Sequence, residues 1–312
     1  MAELSQPTIK TRFLVISDTH SRSSLPASNE RADMAIHWGD LTRESKLDEF
    51  KGAIDLLKQI NAPLKLVIAG NHDFTLDRFA FQNKIREAQR LQDIDPILIE
   101  KEYGYCGQAR ELFDDVEVKD NGIQFLDEGT YRFPLQNGAL LIVYASPYTP
   151  SFGEWGFQYA SHEGHKFEIG TNVDIVMTHG PPRGVLDNTL SGQRAGCGHL
   201  FEMTARSRPR MHCFGHIHGS WGGKLVGWRK SISEKPSHLT DIDNDNSMVI
   251  AKLSNVKTSG HRSCYQTSHC ADDAKPLQHG RQTLFINAAI EGSDNFPVHP
   301  AWLVDLDLQG AL

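Results

Sequence analysis

The 312-residue chain has few cysteines, no long apolar runs and no excess of positive charge. Its five cysteines, at 106, 197, 213, 264 and 270, are too few and too odd in number for a disulfide framework. They fit free thiols in a reducing, cytoplasmic setting. The longest apolar runs, such as ALLIVYA at 139–145, are far too short to cross a bilayer. The opening MAELSQPTIK contains no apolar stretch of the kind a secretory signal needs, so none is expected. A formal net charge of −7 supplies no general field for a polyanion, so neither a nucleic acid polymer nor a membrane is an expected partner.

Several short runs are strand-like and end in polar residues. RFLVIS (12–17) leads into Asp-Thr-His, ADMAIHWGD (32–40) ends in Gly-Asp, and LKLVIAGNHD (64–73) ends in Gly-Asn-His-Asp. NVDIVMTHGPP (172–182) and PRMHCFGHIHG (209–219) end in the same manner, while GALLIVYASP (138–147), QTLFINAAI (282–290) and AWLVDLDL (301–308) read as further strands. SKLDEFKGAIDLLKQI (45–60) has apolar residues at helical spacing, with Ser45 placed to cap it. A second helix is predicted from Thr75 to about Asp93. This alternation argues for an α/β or layered α/β/α domain. In such folds the carboxyl ends of strands form the ligand crevice, so the five polar strand ends can converge on one site.

Residues 229–281 are polar and largely without periodicity, and are expected to form an insertion or long loop within a single 1–312 domain. DIDNDN (241–246) mimics the start of a calcium loop, but it has Asn246 where a glycine is needed and Lys252 where a glutamate is needed. His261, Cys264, His269 and Cys270 match no standard zinc spacing.

In order, the strand ends offer Asp18 and His20, Asp40, then Asn71, His72 and Asp73, then His179, and finally His216 and His218. Carboxylates, imidazoles and one carboxamide make a mixed N/O set suited to borderline divalent metals: manganese first, with iron, zinc, cobalt or nickel as alternatives. There are enough ligands for two ions, and Asp40, with two oxygens, is the natural bridge. Gly39, Gly70, Gly180 and Gly215 stand beside these residues, where a missing Cβ permits close approach.

The ordered blocks DTH, GD, GNHD, H and GHIH resemble the calcineurin-like metallophosphoesterase superfamily. SPYTPSFGEWGFQY (146–159) and THGPPRGVLDNTLSGQRAGCGHL (178–200) resemble one branch of it, the metallophosphoesterase-domain-containing proteins first noted in animal brain. The resemblance implies a layered fold of two central mixed β-sheets flanked by helices, with the site at the strand C-terminal ends. It implies that Asp18, His20 and His218 hold one metal, and Asn71, His179 and His216 the other, with Asp40 bridging. His72 would act as the acid at the leaving oxygen, and Asp73 would orient it. A hydroxide bridging the two metals would attack phosphorus in line. The second block, GDLTRES, and the third, GNHD, differ from the GDxVDRG and GNHE of the phosphoprotein phosphatases. Protein phosphate is therefore disfavoured as substrate, and the branch resemblance implies a small phosphodiester, such as a cyclic nucleotide. A metal-binding scaffold, or the same centre acting on a non-phosphate molecule, is the alternative.

Other residues carry weaker signals. Arg43, Arg183 and Arg194 follow motif loops and could contact a phosphate, or could be ordinary surface arginines. His199 and Cys197, in GCGH, could line the substrate pocket or simply pack. His37 reads as a buried residue supporting the site. Trp155 and Phe157 could stack on a base, although core or lid packing is the favoured reading.

Overall fold

The computed structural model describes residues 7–311 apart from 26, 93–94, 152, 258–262 and 294–295. His261 lies outside the described residues.

Two mixed sheets dominate the fold. In chain order their strands are β1 (Thr8–Ile16), β2 (Met34–Trp38), β3 (Lys65–Ile68), β4 (Ile123–Phe125), β5 (Gly129–Pro134), β6 (Leu140–Ser146) and β7 (Ile175–Thr178). They continue with β8 (Met211–Phe214), β9 (Gly222–Trp228), β10 (Ile242–Lys252), β11 (Cys264–Ser268), β12 (Gln282–Asn287) and β13 (Ala301–Gln309). The six-stranded sheet runs β11-β13-β1-β2-β3-β4 and the seven-stranded sheet β10-β9-β12-β8-β7-β6-β5. Parallel pairing joins β1 to β2 to β3 in one sheet and β6 to β7 to β8 in the other, so the ends that carry the motifs point the same way within each sheet.

Side-chain alternation along the strands sets the layers. Phe13, Val15, Ile36 and Ile68 of the first sheet meet Val143, Ile175, Met177, Met211 and Ile286 of the second in one dry core. Leu14, Ile16 and Ala35 point the other way, onto Phe50, Ala53, Ile54 and Leu57 of helix α1 (Leu47–Lys58). Helix α2 is Arg78–Gln92 and α3 is Pro96–Tyr103. Helix α4 (Gly198–Ser207) covers the outer face of the second sheet, where Phe201 and Ala205 pack on Phe214 and Phe285. The layers are thus helix, sheet, sheet, helix, as expected. Among the described residues no helix is long and apolar enough to cross a membrane.

Two expectations need correction. Ser45 does not cap α1: it adopts φ 63° and bonds Thr75 through its hydroxyl at 2.9 Å. Lys46 is the cap residue, and Glu49 at the third helical position accepts its backbone N–H at 3.0 Å. The stretch 229–281 is also more than a loop, because it contains β10 and β11, each an edge strand with one neighbour. Most of β10 is exposed or half-buried on both faces and tolerates residues such as Asp243, Asn244 and Asp245, which hid it from a search for apolar alternation.

One buried histidine links this frame to stability. His212 in β8 has its ring nitrogens 2.9 Å from the Thr178 hydroxyl and 3.3 Å from that of Thr204, and burial pushes its pKa down to about 3. Its ordinary value is 6.5, so its contribution is complete above that pH and is lost as the pH falls towards 3. The loss between pH 7 and about 4 is expected to be a few kcal/mol. Urea unfolding at the two pH values should show a smaller pH-dependent loss in His212→Gln than in the wild type; an equal loss would contradict this.

Candidate functional site

Five loops leave neighbouring strand ends and are laced together by their backbones. Asp18 N–H donates to Gly39 O at 3.0 Å, His20 N–H to Asp40 O at 3.0 Å, and Gly215 N–H to His179 O at 3.0 Å. Ser17 N–H donates across to Ala288 O of the second sheet at 3.1 Å. Four of the polar residues adopt left-handed backbone: Asp18 (φ 52°), His20 (43°), Asp40 (52°) and His216 (63°). Each such conformation is unfavourable for a residue with a Cβ, and clusters of this strain mark functional sites.

The side chains converge. Asp18, His20 and His218 form one set whose ligand atoms all lie within 4.8 Å of one another; His20, Asp40 and His72 form a second, and Asp40, His179 and His216 a third. Asp40 and His20 each belong to two sets, so the three overlap as one centre. Asn71 joins at the third set, with its Oδ1 2.8 Å from His179 Nε2.

Backbone carbonyls fix three of the imidazoles. A carbonyl can only accept, so Nδ1 is the protonated nitrogen in His20 (to Thr42 O, 3.1 Å), His179 (to Trp38 O, 3.0 Å) and His72 (to Arg43 O, 2.7 Å). Each Nε2 is left for the centre. Burial keeps the ring of His20 neutral, down to about 4 despite Asp18, and that of His216 down to about 3 with help from His179. Burial also lowers His179. Neutral imidazoles with a free Nε2 are what metal ligation requires.

The carboxylates divide. Burial opposes ionisation of Asp18, but the hydrogen bond and charge of His218, joined by His179 and His20, hold it well below the usual carboxylate range. Burial and then the charges of Asp18 and Asp73 push Asp40 well above that range. Burial also works against the charge of His218, and Asp18 outweighs it and raises the imidazole.

These residues fit a pair of divalent cations on two further observations. With its Nδ1 protonated, His179 Nε2 presents a lone pair to the lone pairs of Asn71 Oδ1 2.8 Å away, an arrangement that repels unless a cation is shared between them. The space is also protected from filling. A Cβ on Gly70 would collide with the Asp40 backbone N and side chain and come within 2.7 Å of His179 Cε1, and one on Gly215 would collide with the Asp18 carboxylate. Buried N/O donors with no thiolate suit metals of the manganese-to-zinc series.

The other sequence expectations fare differently. Asp73 does not touch the His72 ring. Its carboxylate accepts from Leu41 N (3.1 Å), Thr42 N (2.9 Å), the Thr42 hydroxyl (2.7 Å) and Gly70 N (2.8 Å), fastening the second loop to the third. The ring of His72 is held by the Arg43 carbonyl instead, and its backbone N–H donates to Asp40 Oδ1 at 2.8 Å. Arg43 is exposed and pairs with Glu291 at 2.9 Å, which Arg22 also approaches at 3.5 Å. Arg183, Arg194 and His199 line one polar pocket of about 530 Å³ together with Tyr159 and Cys197. Arg194 is held there by the buried Asp187 at 2.7 Å. Cys197 is buried as the cap of α4, its Sγ 3.3 Å from Leu200 N. His37 is buried against the Thr19 hydroxyl at 2.9 Å, beneath the first loop.

Phe157 packs on Tyr148, with ring centroids 5.9 Å apart, but Trp155 lies against His72 with ring centroids 4.2 Å apart. The sequence reading favoured packing for Trp155 and missed this contact. It also missed Glu291 and Asp187, whose only local signal is an acidic residue just beyond an apolar run.

The sequence profile of the Calcineurin-like phosphoesterase family matches residues 11–220, which contain every candidate ligand. Metallophosphoesterase domain-containing protein 1 of Homo sapiens is 34% identical over 221 residues, covering 68% of this chain and 62% of that protein, and its Mus musculus counterpart matches to the same extent. The Probable rhamnogalacturonate lyase C of Emericella nidulans is 33% identical over 219 residues, 70% of this chain and 18% of that protein. The chain thus spans less than two thirds of the length of these relatives. It belongs to the calcineurin-like phosphoesterase family, in the branch of the metallophosphoesterase-domain-containing proteins.

Proposed function

We propose that the chain is a phosphoesterase with two divalent metals, manganese foremost, that hydrolyses a small phosphodiester such as a cyclic nucleotide. The observation that carries this reading is the overlap of three ligand sets through Asp40 and His20 in one buried centre. Asp18, His20 and His218 would hold one ion, Asn71, His179 and His216 the other, and Asp40 would serve both. Two cations bound there supply Lewis acidity towards a phosphoryl oxygen and ionise water near neutral pH.

The chain's own groups do the rest. His72, held through Nδ1 by the Arg43 carbonyl, presents Nε2 to the leaving oxygen. One water is consumed: its oxygen bonds to phosphorus, and the bond to the leaving alcohol breaks with its electron pair left on oxygen. For this step His72 carries a proton on both ring nitrogens: Nδ1–H stays on the Arg43 carbonyl, Nε2–H passes to that oxygen, and the neutral ring afterwards recovers a proton from solvent, into which the attacking water has released its own. Arg183, Arg194 and His199 bind the remaining part of the substrate in their shared pocket. Asp73 keeps the second and third loops in register, and so positions His72 through its backbone.

We read the whole chain as a single domain. The partner is a small phosphoester; a net charge of −7 offers no general field for a nucleic acid polymer or an anionic membrane. The thiols at 106, 197, 213, 264 and 270 are unpaired, which supports a reducing, cytoplasmic setting.

The test is direct. Metal-depleted protein reconstituted with manganese should carry about two divalent ions per chain by elemental analysis and hydrolyse bis-p-nitrophenyl phosphate, and chelator should remove that activity. Protein with both ions bound but no turnover on diesters, monoesters or cyclic nucleotides would overturn the reading in favour of a scaffold or of chemistry on a non-phosphate molecule. Protein that takes up no metal would overturn the site itself.

A further inference from the structure

We propose that an aromatic cleft beside His72 binds the leaving alcohol of the substrate, and that it selects a planar aromatic group there. This rests on the phosphoesterase reading above. The cleft has a volume of about 480 Å³, and one of its wall residues, Trp155, touches His72 of the candidate centre. Trp155 forms part of its wall and lies 4.2 Å from the His72 ring, while His72 lies 4.8 Å from His20 within the centre. The imidazole therefore stands between the candidate metal ligands and the cleft. An acyclic phosphodiester, unlike a cyclic one, has two separate ester arms, and the substrate is narrowed to that kind: the arm whose oxygen His72 protonates is the one on the Trp155 side. The polar pocket of Arg183, Arg194 and His199 is left for the other arm.

The lining gives the chemical class. Helix α2 contributes Phe81 and Ile85, α3 contributes Ile99 and Tyr103, and the loops contribute Phe74 and Trp155. Their rings present faces and edges at mixed tilts: Phe74 is 5.8 Å from Tyr103 at 44°, and 6.1 Å from Trp155 at 60°. A planar ring lying in the cleft against them finds edge-to-face and offset partners, which a flexible alkyl group does not. The Lys84 ammonium lies 4.9 Å from the centroid of Phe74 and 5.3 Å from that of Trp155, a position from which it also attracts a third π-face. Glu44 and Glu87 line the same cleft and can accept from donor groups on the ring. Phe74 and Phe81 form the buried floor of the cleft, while its α3 and Trp155 sides stay open: α3 buries none of its side chains, and Trp155 remains 39% exposed.

The experiment has two arms. In the first, kcat/KM is measured for two methyl phosphodiesters whose leaving alcohols are matched in acidity, phenol and hexafluoroisopropanol. The ratio of aryl to alkyl kcat/KM should fall roughly ten- to a hundredfold in Ile99→Asp, which puts a charge in the cleft at an exposed helix. Trp155→Ala, on the opposite wall, provides a second variant should the first fail to fold by circular dichroism. An unchanged ratio in a folded variant overturns the proposal, because a merely structural role would depress both esters alike. The second arm needs neither metal nor turnover. The fluorine NMR line of para-fluorophenol should broaden with metal-free wild-type protein and sharpen again with either variant. Broadening in a protein that hydrolyses no phosphoester would sustain the cleft while the phosphoesterase reading fails; no broadening with wild type overturns the cleft.

Discussion

Asp40→Asn is expected to lower kcat by roughly a thousandfold or more, equivalent to about 4 kcal/mol of transition-state stabilisation, while leaving the fold intact. Two features make this substitution clean. The amide keeps an oxygen in place to accept the His72 backbone N–H, which donates to Asp40 Oδ1 at 2.8 Å. Asp40 is also buried beside Asp18 and Asp73, with its carboxyl pushed well above the usual range. A neutral isostere therefore relieves repulsion in the metal-free protein, and the metal-free Tm should stay level or rise. What the amide removes is one negative charge that both ions share. Elemental analysis should accordingly show metal content below that of the wild type at equal metal concentration. A variant with wild-type metal content and activity would remove Asp40 from the centre.

His72→Asn should produce a loss that depends on the leaving group. With p-nitrophenyl esters, whose alcohol leaves readily, the loss should be about tenfold or less; with poor leaving groups it should reach about a hundredfold to ten-thousandfold. The geometry supports this graded response. The Nδ1–H to Arg43 O bond of 2.7 Å fixes the ring, and only Nε2 is available to the reacting oxygen. Equal losses across the series would sink the acid role. Metal content separates a further possibility. His72 also lies with His20 and Asp40 in one candidate ligand set, so a drop in bound metal in His72→Asn would identify it as a ligand instead.

The two predictions probe different residues of one frame, and that frame explains why Asp73 matters without touching the ring. Its carboxylate binds three backbone N–H groups and one hydroxyl, so it acts as a clamp between the Asp40 and His72 loops. The family resemblance implies that Asp73 orients His72, and the clamp on the two loops is the contact through which it would do so. In a turn, consecutive side chains diverge, and Asp73 is directed inwards beneath the loops.

Much of the candidate site was legible because its signal is local. A strand followed by glycine and a ligand-type residue is a short pattern, and the parallel pairing of β1, β2 and β3 and of β6, β7 and β8 gathers such ends automatically. Helix α1 was legible from its apolar spacing, whereas its cap was misplaced by one residue because Ser45 was drawn off to Thr75. β10 was missed because most of its side chains are exposed or half-buried on both faces, so they need not alternate between apolar and polar.

The sequence by itself determined which residues could ligate metal, which strands would deliver them, and that strands and helices would form a layered α/β domain. Residue type and short-range periodicity suffice for that; the pair of central sheets was an implication of the family resemblance. The tertiary structure alone decided the pairings between distant segments: Asn71 against His179, Glu291 against Arg43, Asp187 holding Arg194, and Trp155 on His72. It also decided that Asp18, His20, Asp40 and His216 would be held in left-handed backbone without being glycine. Such contacts and strains depend on how two twisted sheets dock and on what the surrounding packing can enforce, and no short window of sequence contains that information.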